Sequence, residues 1–244
     1  MPKIRATTKG TARRDRASGS RSGTGPPRRS RAKSPGDHRR MHEASWSRAD
    51  AVAILDSSDR RRNQNPRRLW RRVGLKSGDV VVDIGAGSGF FAFPAAAVVG
   101  PEGRVFAVDI SDDLVGLMRE KAASGKVTNL ETVLSTPGRI PLEDAVAVVT
   151  LLANVLHGIP PTTVHEAVRL LRPGGRLIDV DWKKRSTPEG PPVHHRLSLS
   201  EATAALRAYG LTPVDSFDLG PSHYVLVLER PRPSRLPGHL VSAE

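Results

Sequence analysis

The feature that most constrains this chain is a regular alternation of strand-length apolar runs with helical stretches. Five runs of apolar or β-branched residues are predicted as strands, over residues 80–84, 104–109, 130–134, 145–151 and 176–181. Helical patterns near residues 90–99, 112–124 and 161–171 separate them. Parallel strands need a long crossover between them, and that crossover is usually a helix. The alternation therefore predicts an α/β fold with a doubly wound, mostly parallel sheet.

The end of the predicted domain departs from this alternation. A helix near residues 199–209 is followed by two strands over 213–218 and 223–229. Because residues 219–222 are too few for a crossover, the two strands are expected to form a C-terminal antiparallel hairpin that completes a seven-stranded sheet. The domain is predicted over residues 74–230. A helical segment over 41–73 precedes it, and a proline-containing tail over 231–244 follows it.

The positive charge of the chain is concentrated at its N-terminus. The net charge is +13, and residues 1–40 alone hold 13 basic and 2 acidic residues, with many Arg, Ser, Gly and Pro. Such a segment buries too little apolar surface to offset its ordering entropy, so residues 1–40 are predicted to be a disordered basic tail. Three interpretations stay open: a solvated tail, a weak nucleic-acid tether, or a segment upstream of a true start at Met41.

Composition excludes several classes of protein. The chain has no cysteine, which excludes disulfides, thiolate metal sites, iron-sulfur clusters and cysteine nucleophiles in it. No apolar run reaches the length of a membrane span and no secretory signal is recognisable, so a cytoplasmic protein without membrane contact is expected. His194, His195 and His223 lack a second cluster at ligand spacing, and no metal site is predicted.

The sharpest local signal is a glycine-rich turn after the first strand. Gly85, Gly87 and Gly89 follow the buried run that ends in Asp83 and Ile84. Glycines at such a turn let the backbone approach a ligand closely and expose amides at a helix N-terminus. Their G-x-G-x-G spacing differs from the G-x-G-x-x-G of dinucleotide-binding proteins. Asp109 ends the second strand 20 residues after Gly89, where a carboxylate can accept both hydroxyls of a ribose.

These residues resemble the class I S-adenosylmethionine-dependent methyltransferases. The segment from Asp83 to Gly89, Asp109 and the terminal hairpin are similar to that family's motifs, and Leu171-Arg172-Pro173-Gly174-Gly175 looks like its turn into strand five. The resemblance extends over about residues 41–230 and is strongest to small prokaryotic proteins related to the quinone-biosynthesis methyltransferases. It implies a Rossmann-like methyltransferase fold, S-adenosyl-L-methionine as cofactor, and methyl transfer by in-line displacement.

The resemblance also assigns a cofactor site. Gly85, Gly87 and Gly89 would line the methionine and ribose parts, Asp83 would organise the loop or meet the amino group, and Asp109 would take the ribose hydroxyls. The remaining implied contacts are Ala86, Ile110, Ser135 and Asn154. Many family members carry an acidic residue after strand three that holds the adenine amine. This chain has Ser135 and Thr136 there, which can supply only a hydroxyl.

The acceptor is expected beside the cofactor, at the ends of strands four and five. His157 is a candidate general base or a residue with a structural hydrogen bond, and Asp181 either orients the acceptor or satisfies backbone amides. Trp182 offers an aromatic wall or packs in the core. Lys183 either steers an anionic acceptor or lies in a solvated loop.

Four functions remain at this stage. A small-molecule methyltransferase is favoured, and the alternative is a methyltransferase of RNA or another macromolecule recruited through the basic N-terminal segment. A nicotinamide oxidoreductase is disfavoured by the glycine spacing, and a degenerate fold used for interaction is the fourth. The absence of cysteine excludes covalent cytosine-C5 methylation and a thiolate site for arsenic in this chain.

Overall fold

The computed structural model describes residues 55–233 together with Ala53. The predicted tail over residues 1–40, the start of the segment over 41–73 and most of the tail over 231–244 lie outside these residues. The described helices are α1 (Ser58–Asn63), α2 (Pro66–Arg72), α3 (Ala92–Val99), α4 (Asp112–Ser124), α5 (Pro161–Leu170) and α6 (Leu199–Arg207). The strands are β1 (Val80–Ile84), β2 (Arg104–Asp109), β3 (Leu130–Leu134), β4 (Ala147–Ala153), β5 (Leu171–Trp182), β6 (Thr212–Leu219) and β7 (His223–Glu229).

The seven strands form one sheet in the order β3-β2-β1-β4-β5-β7-β6. Strands β1 to β5 are parallel to their neighbours, and β7 lies antiparallel between β5 and β6. The predicted doubly wound sheet with a C-terminal antiparallel hairpin is therefore confirmed. The strand order reverses between β1 and β4, and such a switch point opens a crevice at the carboxyl ends of the strands.

Helices cover both faces of the sheet, each over its own apolar cluster. Leu69 and Trp70 of α2 are buried on one face together with α3 and Met118 of α4. On the opposite face, α5 and α6 bury Leu170 and Leu206 against the even-numbered positions of β1. Burial on both faces explains why the strands read as continuous apolar runs rather than alternating ones. In the described part of the chain, no helix is both long enough and apolar enough to span a membrane.

The start of α2 follows directly from its sequence. The Asn65 side chain accepts a hydrogen bond from the Arg68 N–H, and Pro66 occupies the first turn, where no N–H is needed. At the other end, the Trp70 Nε1–H donates to the Phe91 carbonyl over 3.1 Å. This bond fixes α2, and the segment before it, against the turn that follows β1.

Two strand boundaries differ from the prediction. Strand β4 covers Ala147–Ala153 rather than 145–151, because Ala145 has φ 53° and cannot begin an extended strand. Strand β5 begins at Leu171 rather than 176, since Leu171 already pairs with Ala147. The predicted turn of Arg172 to Gly175 is an irregularity within β5, with Gly174 at φ 77°.

Candidate active site

The glycine-rich turn after β1 has a conformation that its sequence makes possible. Gly85, Gly87 and Gly89 have φ values of 74°, 61° and 81°. A Cβ atom at Gly85 would lie 2.8 Å from the Val155 side chain, and one at Gly89 would lie 2.6 Å from the Phe93 ring. The N–H groups of Gly85 and Ala86 both donate to the Val108 carbonyl over 2.9 Å. The turn is thus held against the end of β2, where the next candidate residue lies.

Asp109 lies at the carboxyl end of β2 and is 7% exposed. Its Oδ2 accepts the Gly87 N–H over 2.8 Å, and its Oδ1 accepts the Ser111 N–H over 3.0 Å. Burial raises the pKa of this carboxyl, while backbone N–H groups, those of Ser111 and Gly87 foremost, act in the opposite direction. A carboxylate has about four acceptor positions. Among the described residues, its backbone N–H donors leave acceptor capacity on this carboxylate, which a pair of adjacent hydroxyls requires.

Asp83 lies in β1, two residues before the turn, and is 1% exposed. No donor reaches its Oδ2 among the described residues. Burial raises the pKa of this carboxyl to about 7, an effect that Arg60 opposes, Asp109 reinforces and the Ala92 N–H opposes. The site therefore holds a buried acid with a raised pKa, one of whose oxygens has no hydrogen-bond donor among the described residues.

Helix α1 brings to this site a cation that the sequence analysis did not predict. The Arg60 guanidinium lies over the Phe90 ring, 4.2 Å from its centroid, and its Nη1 donates to the Leu55 carbonyl over 3.0 Å. Burial lowers the pKa of Arg60 to about 10, whereas the carboxylates of Asp83 and Asp56 oppose this shift. Arg60 thus remains cationic at neutral pH. The sequence of α1 contains three consecutive arginines, and nothing in it indicates which of them lies toward the glycine-rich turn.

Polar contacts hold the segment before α2 on the glycine-rich turn. Asp56 Oδ1 accepts the Ser88 Oγ–H over 2.7 Å, and Asp56 Oδ2 pairs with Lys121 Nζ over 2.5 Å. Lys121 also donates to the Ser88 carbonyl over 3.0 Å. Further along, the Asn154 Nδ2 donates to Gln64 Oε1 over 3.1 Å. The segment therefore bridges the turn after β1, helix α4 and the end of β4.

Beyond Asp109, the surface at the ends of β2 and β3 is apolar. Ile110 is 57% exposed and Leu134 is 48% exposed, and Leu134 is the register partner of Asp109 in β3. The Ser135 hydroxyl donates to the Asp109 carbonyl over 3.4 Å rather than facing outward. The residues expected to contact an adenine therefore present two exposed aliphatic side chains, and the predicted serine hydroxyl has a backbone partner.

His157 and Asp181 are adjacent at the ends of β4 and β5. His157 Nδ1 lies 2.9 Å and 3.2 Å from the two carboxylate oxygens of Asp181, and both side chains are buried. When Nδ1 carries the proton, it donates to this carboxylate, and Asp181 fixes the orientation of the imidazole ring. Asp181 Oδ1 also accepts the Trp182 N–H over 2.7 Å. Asp181 thus satisfies a backbone amide, which is one of the two alternatives considered for it, and also contacts His157; its role toward an acceptor stays a prediction.

Trp182 is half-buried between a strand and a loop. Its ring lies 4.1 Å from the His223 ring and 5.1 Å from the Arg196 guanidinium. A Cβ at Gly190 would meet the indole at 2.8 Å. Arg196 holds the loop after β5 by donating to the carbonyls of Lys183, Arg185, Glu189 and Pro191.

The Lys183 ammonium pairs with Asp218 over 2.7 Å. Its charge is thus already matched by a carboxylate on β6. Among the described residues, no group of three His, Asp or Glu side chains is placed to hold a metal ion.

Comparison with known proteins identifies the family. A family model described as a methyltransferase domain matches residues 75–208, more than half of the chain. The chain belongs to this methyltransferase-domain family. The predicted resemblance to class I methyltransferases, whose cofactor is S-adenosylmethionine, is confirmed.

Among curated relatives of this methyltransferase domain is the arsenite methyltransferase of Halobacterium salinarum, 31% identical over 136 residues. The quinone-biosynthesis C-methyltransferase UbiE of Pseudomonas putida is 32% identical over 127 residues. These matches cover 54% and 48% of this chain, but only 34% and 49% of the relatives. The chain thus spans about a third to a half of the length of the relatives it matches.

Solved structures agree on the fold. A SAM-dependent methyltransferase from Aquifex aeolicus is 27% identical, with a TM-score of 0.70 over 73% of this chain and 96% of the other. The [4+2]-cyclase SpnF is 16% identical, with a TM-score of 0.60 over 79% of this chain and 84% of the other. The second likeness shows the fold alone, and it illustrates that this fold supports more than one kind of activity.

Proposed function

We propose that this methyltransferase domain binds S-adenosylmethionine at the turn after β1 and transfers its methyl group to a small-molecule acceptor. The observation that supports this most directly is Asp109, which fixes the turn through Gly87 and keeps acceptor capacity for ribose hydroxyls among the described residues. It lies beside the switch point of the sheet, where ligands of open α/β folds bind.

The residues at the turn fit each part of this cofactor. Asp83 offers to the amino group a buried carboxylate oxygen, Oδ2, that no donor reaches among the described residues. Ile110 and Leu134 offer an apolar surface to the adenine next to Asp109. This surface would pack on the adenine ring, whereas the acidic residue of other family members holds the adenine amine. When bound, the cofactor supplies an electrophilic methyl group on a sulfonium, a good leaving group.

The protein's contribution to this reaction is mainly position. For an acceptor that must lose a proton, His157 is the proposed general base. Asp181 orients the imidazole of His157 through its contact with Nδ1. Trp182, braced by His223 and Arg196, is the proposed wall that orients the acceptor. Because Lys183 is paired with Asp218, we assign it a supporting role at the rim rather than a direct contact.

A small acceptor is favoured over a macromolecule for this domain. The curated relatives are named for arsenite and quinone methylation. A thiolate site for arsenic is excluded in this chain, which has no cysteine. The N-terminal tail on which recruitment of RNA would depend lies outside the described residues, so no observation supports the macromolecular alternative.

The test is a product assay with the full chain. The protein is incubated with methyl-labelled S-adenosylmethionine and a library of small hydroxyl, carbon-acid and amine acceptors, and mass spectrometry follows S-adenosylhomocysteine and labelled products. We expect acceptor-dependent turnover that His157→Gln lowers about a hundredfold without changing cofactor affinity. A folded protein that binds the cofactor but labels none of the acceptors would contradict the proposal.

A further inference from the structure

Two oppositely charged side chains, the buried Asp83 and the partly buried Arg60, flank the glycine-rich turn without pairing with each other. Asp83 is 1% exposed and its Oδ2 has no donor among the described residues. Arg60 lies close enough for each charge to shift the other's pKa. Yet the two form neither a hydrogen bond nor an ion pair with each other in the described part of the chain. Buried charges are normally paired, because an unpaired one carries a large desolvation penalty.

The Arg60 guanidinium has donors to spare. Its Nη1 donates to the Leu55 carbonyl over 3.0 Å, and its Nε is 3.5 Å from Gln64 Oε1. A guanidinium carries five N–H donors in a rigid planar fork. Its Nη2 has no acceptor among the described residues. Unused N–H groups of this kind match the two oxygens of a carboxylate.

The placement of these charges is complementary to an amino acid zwitterion. Arg60 is stacked on Phe90, directly after the last glycine of the turn, whereas Asp83 lies two residues before the first. We propose that Arg60 binds the α-carboxylate of the amino acid end of S-adenosylmethionine, while Asp83 faces its α-ammonium. This inference rests on the proposed function, since it assigns the orientation of the cofactor within the same site.

One consequence concerns helix α1. None of its six residues is fully buried, so polar contacts rather than apolar packing hold it on the turn. A carboxylate bound to Arg60 adds a charged contact between α1 and the ligand. The cofactor therefore stabilises the docked helix, and a ligand without the carboxylate does not.

The experiment compares three ligands that share the adenosine and sulfur: S-adenosylmethionine, its decarboxylated analogue, and 5′-methylthioadenosine, which lacks the amino acid end. Their affinities for the full chain are measured by calorimetry, for the unmodified protein, Arg60→Gln and Arg61→Gln. Arg61 is the matched control, because it lies next to Arg60 in α1 and, among the described residues, its exposed side chain donates to the Asp56 carbonyl alone, over 3.2 Å.

We expect Arg60→Gln to weaken S-adenosylmethionine binding 30- to 100-fold, as the loss of a charge-assisted contact implies, and to change the affinity of the other two ligands less than threefold. Arg61→Gln should leave all three unchanged. Hydrogen exchange within residues 58–63 should slow with S-adenosylmethionine and not with methylthioadenosine.

Other outcomes would overturn the assignment. If Arg60→Gln weakens all three ligands equally, Arg60 only supports the fold of the site. If the unmodified protein binds the decarboxylated analogue as tightly as S-adenosylmethionine, the carboxylate has no partner, although the proposed function stands. If the unmodified protein binds none of the three, the proposed function itself fails.

Discussion

Asp83 links cofactor binding to a pH-dependent loss of stability. Burial raises its pKa to about 7 in the folded protein, against a reference value of 3.8. An acid whose pKa is raised by folding is most stabilising below the unfolded pKa, and this contribution is lost as the pH rises through the folded value. From pH 5 to pH 8, the ionisation of Asp83 is expected to lower the free energy of unfolding by roughly 2–3 kcal/mol.

The variant Asp83→Asn isolates this effect. The amide has nearly the same shape but does not ionise, so the stability difference between variant and unmodified protein should shift by roughly 2–3 kcal/mol in favour of the variant between pH 5 and pH 8. Contributions from titrating groups that do not interact with Asp83 cancel in that difference, as does any constant effect of the substitution. Urea unfolding followed by circular dichroism at pH 5, 6, 7 and 8 provides the four values for each protein.

The pH dependence of the stability difference between Asp83→Asn and the unmodified protein distinguishes the possible outcomes. A difference that grows mainly between pH 5 and pH 7 and flattens above pH 7.5 supports a buried acid with the stated pKa. Parallel stability curves between pH 5 and pH 8 would show that Asp83 is ionised in both states throughout this range, either as in the unfolded chain or through an ion pair with Arg60. That result would refute the raised pKa of Asp83 and its proposed role toward an ammonium.

Three further predictions concern the neighbouring elements. Asp109→Ala should weaken S-adenosylmethionine binding about a hundredfold in calorimetry, because two hydroxyl contacts are lost. Asp113→Ala, which removes an exposed carboxylate on α4, should leave the affinity unchanged. Equal affinities of the two variants would contradict the ribose assignment. Gly190→Ala places a Cβ 2.8 Å from the Trp182 ring. The KM for an acceptor should therefore rise at least fivefold in the turnover assay, with cofactor affinity unchanged. An unaltered KM would contradict the placement of Trp182 in the acceptor site. Gly220→Ala places a Cβ 2.0 Å from the Asn63 carbonyl and should displace α1, which would lower cofactor affinity at least tenfold. Gly210→Ala is the control for backbone strain in both glycine variants, because Gly210 has a similar φ of 79° and no described residue beyond its chain neighbours lies within 4 Å of the added Cβ.

The fold was predictable because its signals are local. Each parallel strand is a short apolar run, and the helix between two strands carries its own periodicity, so element type and order follow from short windows of sequence. The hairpin followed from the shortness of the connection before β7. The shifted starts of β4 and β5 were not predictable, because they depend on the positive φ of Ala145 and on the pairing of Leu171 with a strand 24 residues away.

In the candidate site, too, some residues were predictable from local sequence signals and others depend on long-range contacts. Gly85, Gly87, Gly89 and Asp109 occupy strand ends, whose neighbours follow from the topology, and the sheet also explains why His157 and Asp181 meet. Arg60 could not be found in this way. It is one of three consecutive arginines in a charged helix, and only the docking of α1 on Phe90 selects it.

One calorimetric titration tests the proposed cofactor site: S-adenosylmethionine is titrated into the full chain, and S-adenosylhomocysteine and NAD are measured in the same way. The arrangement of Asp109, Asp83 and the glycine-rich turn predicts micromolar binding of both adenosyl ligands and no heat with NAD. Folded protein that binds neither adenosyl ligand, or that binds NAD instead, would contradict the proposed cofactor site and the function built on it.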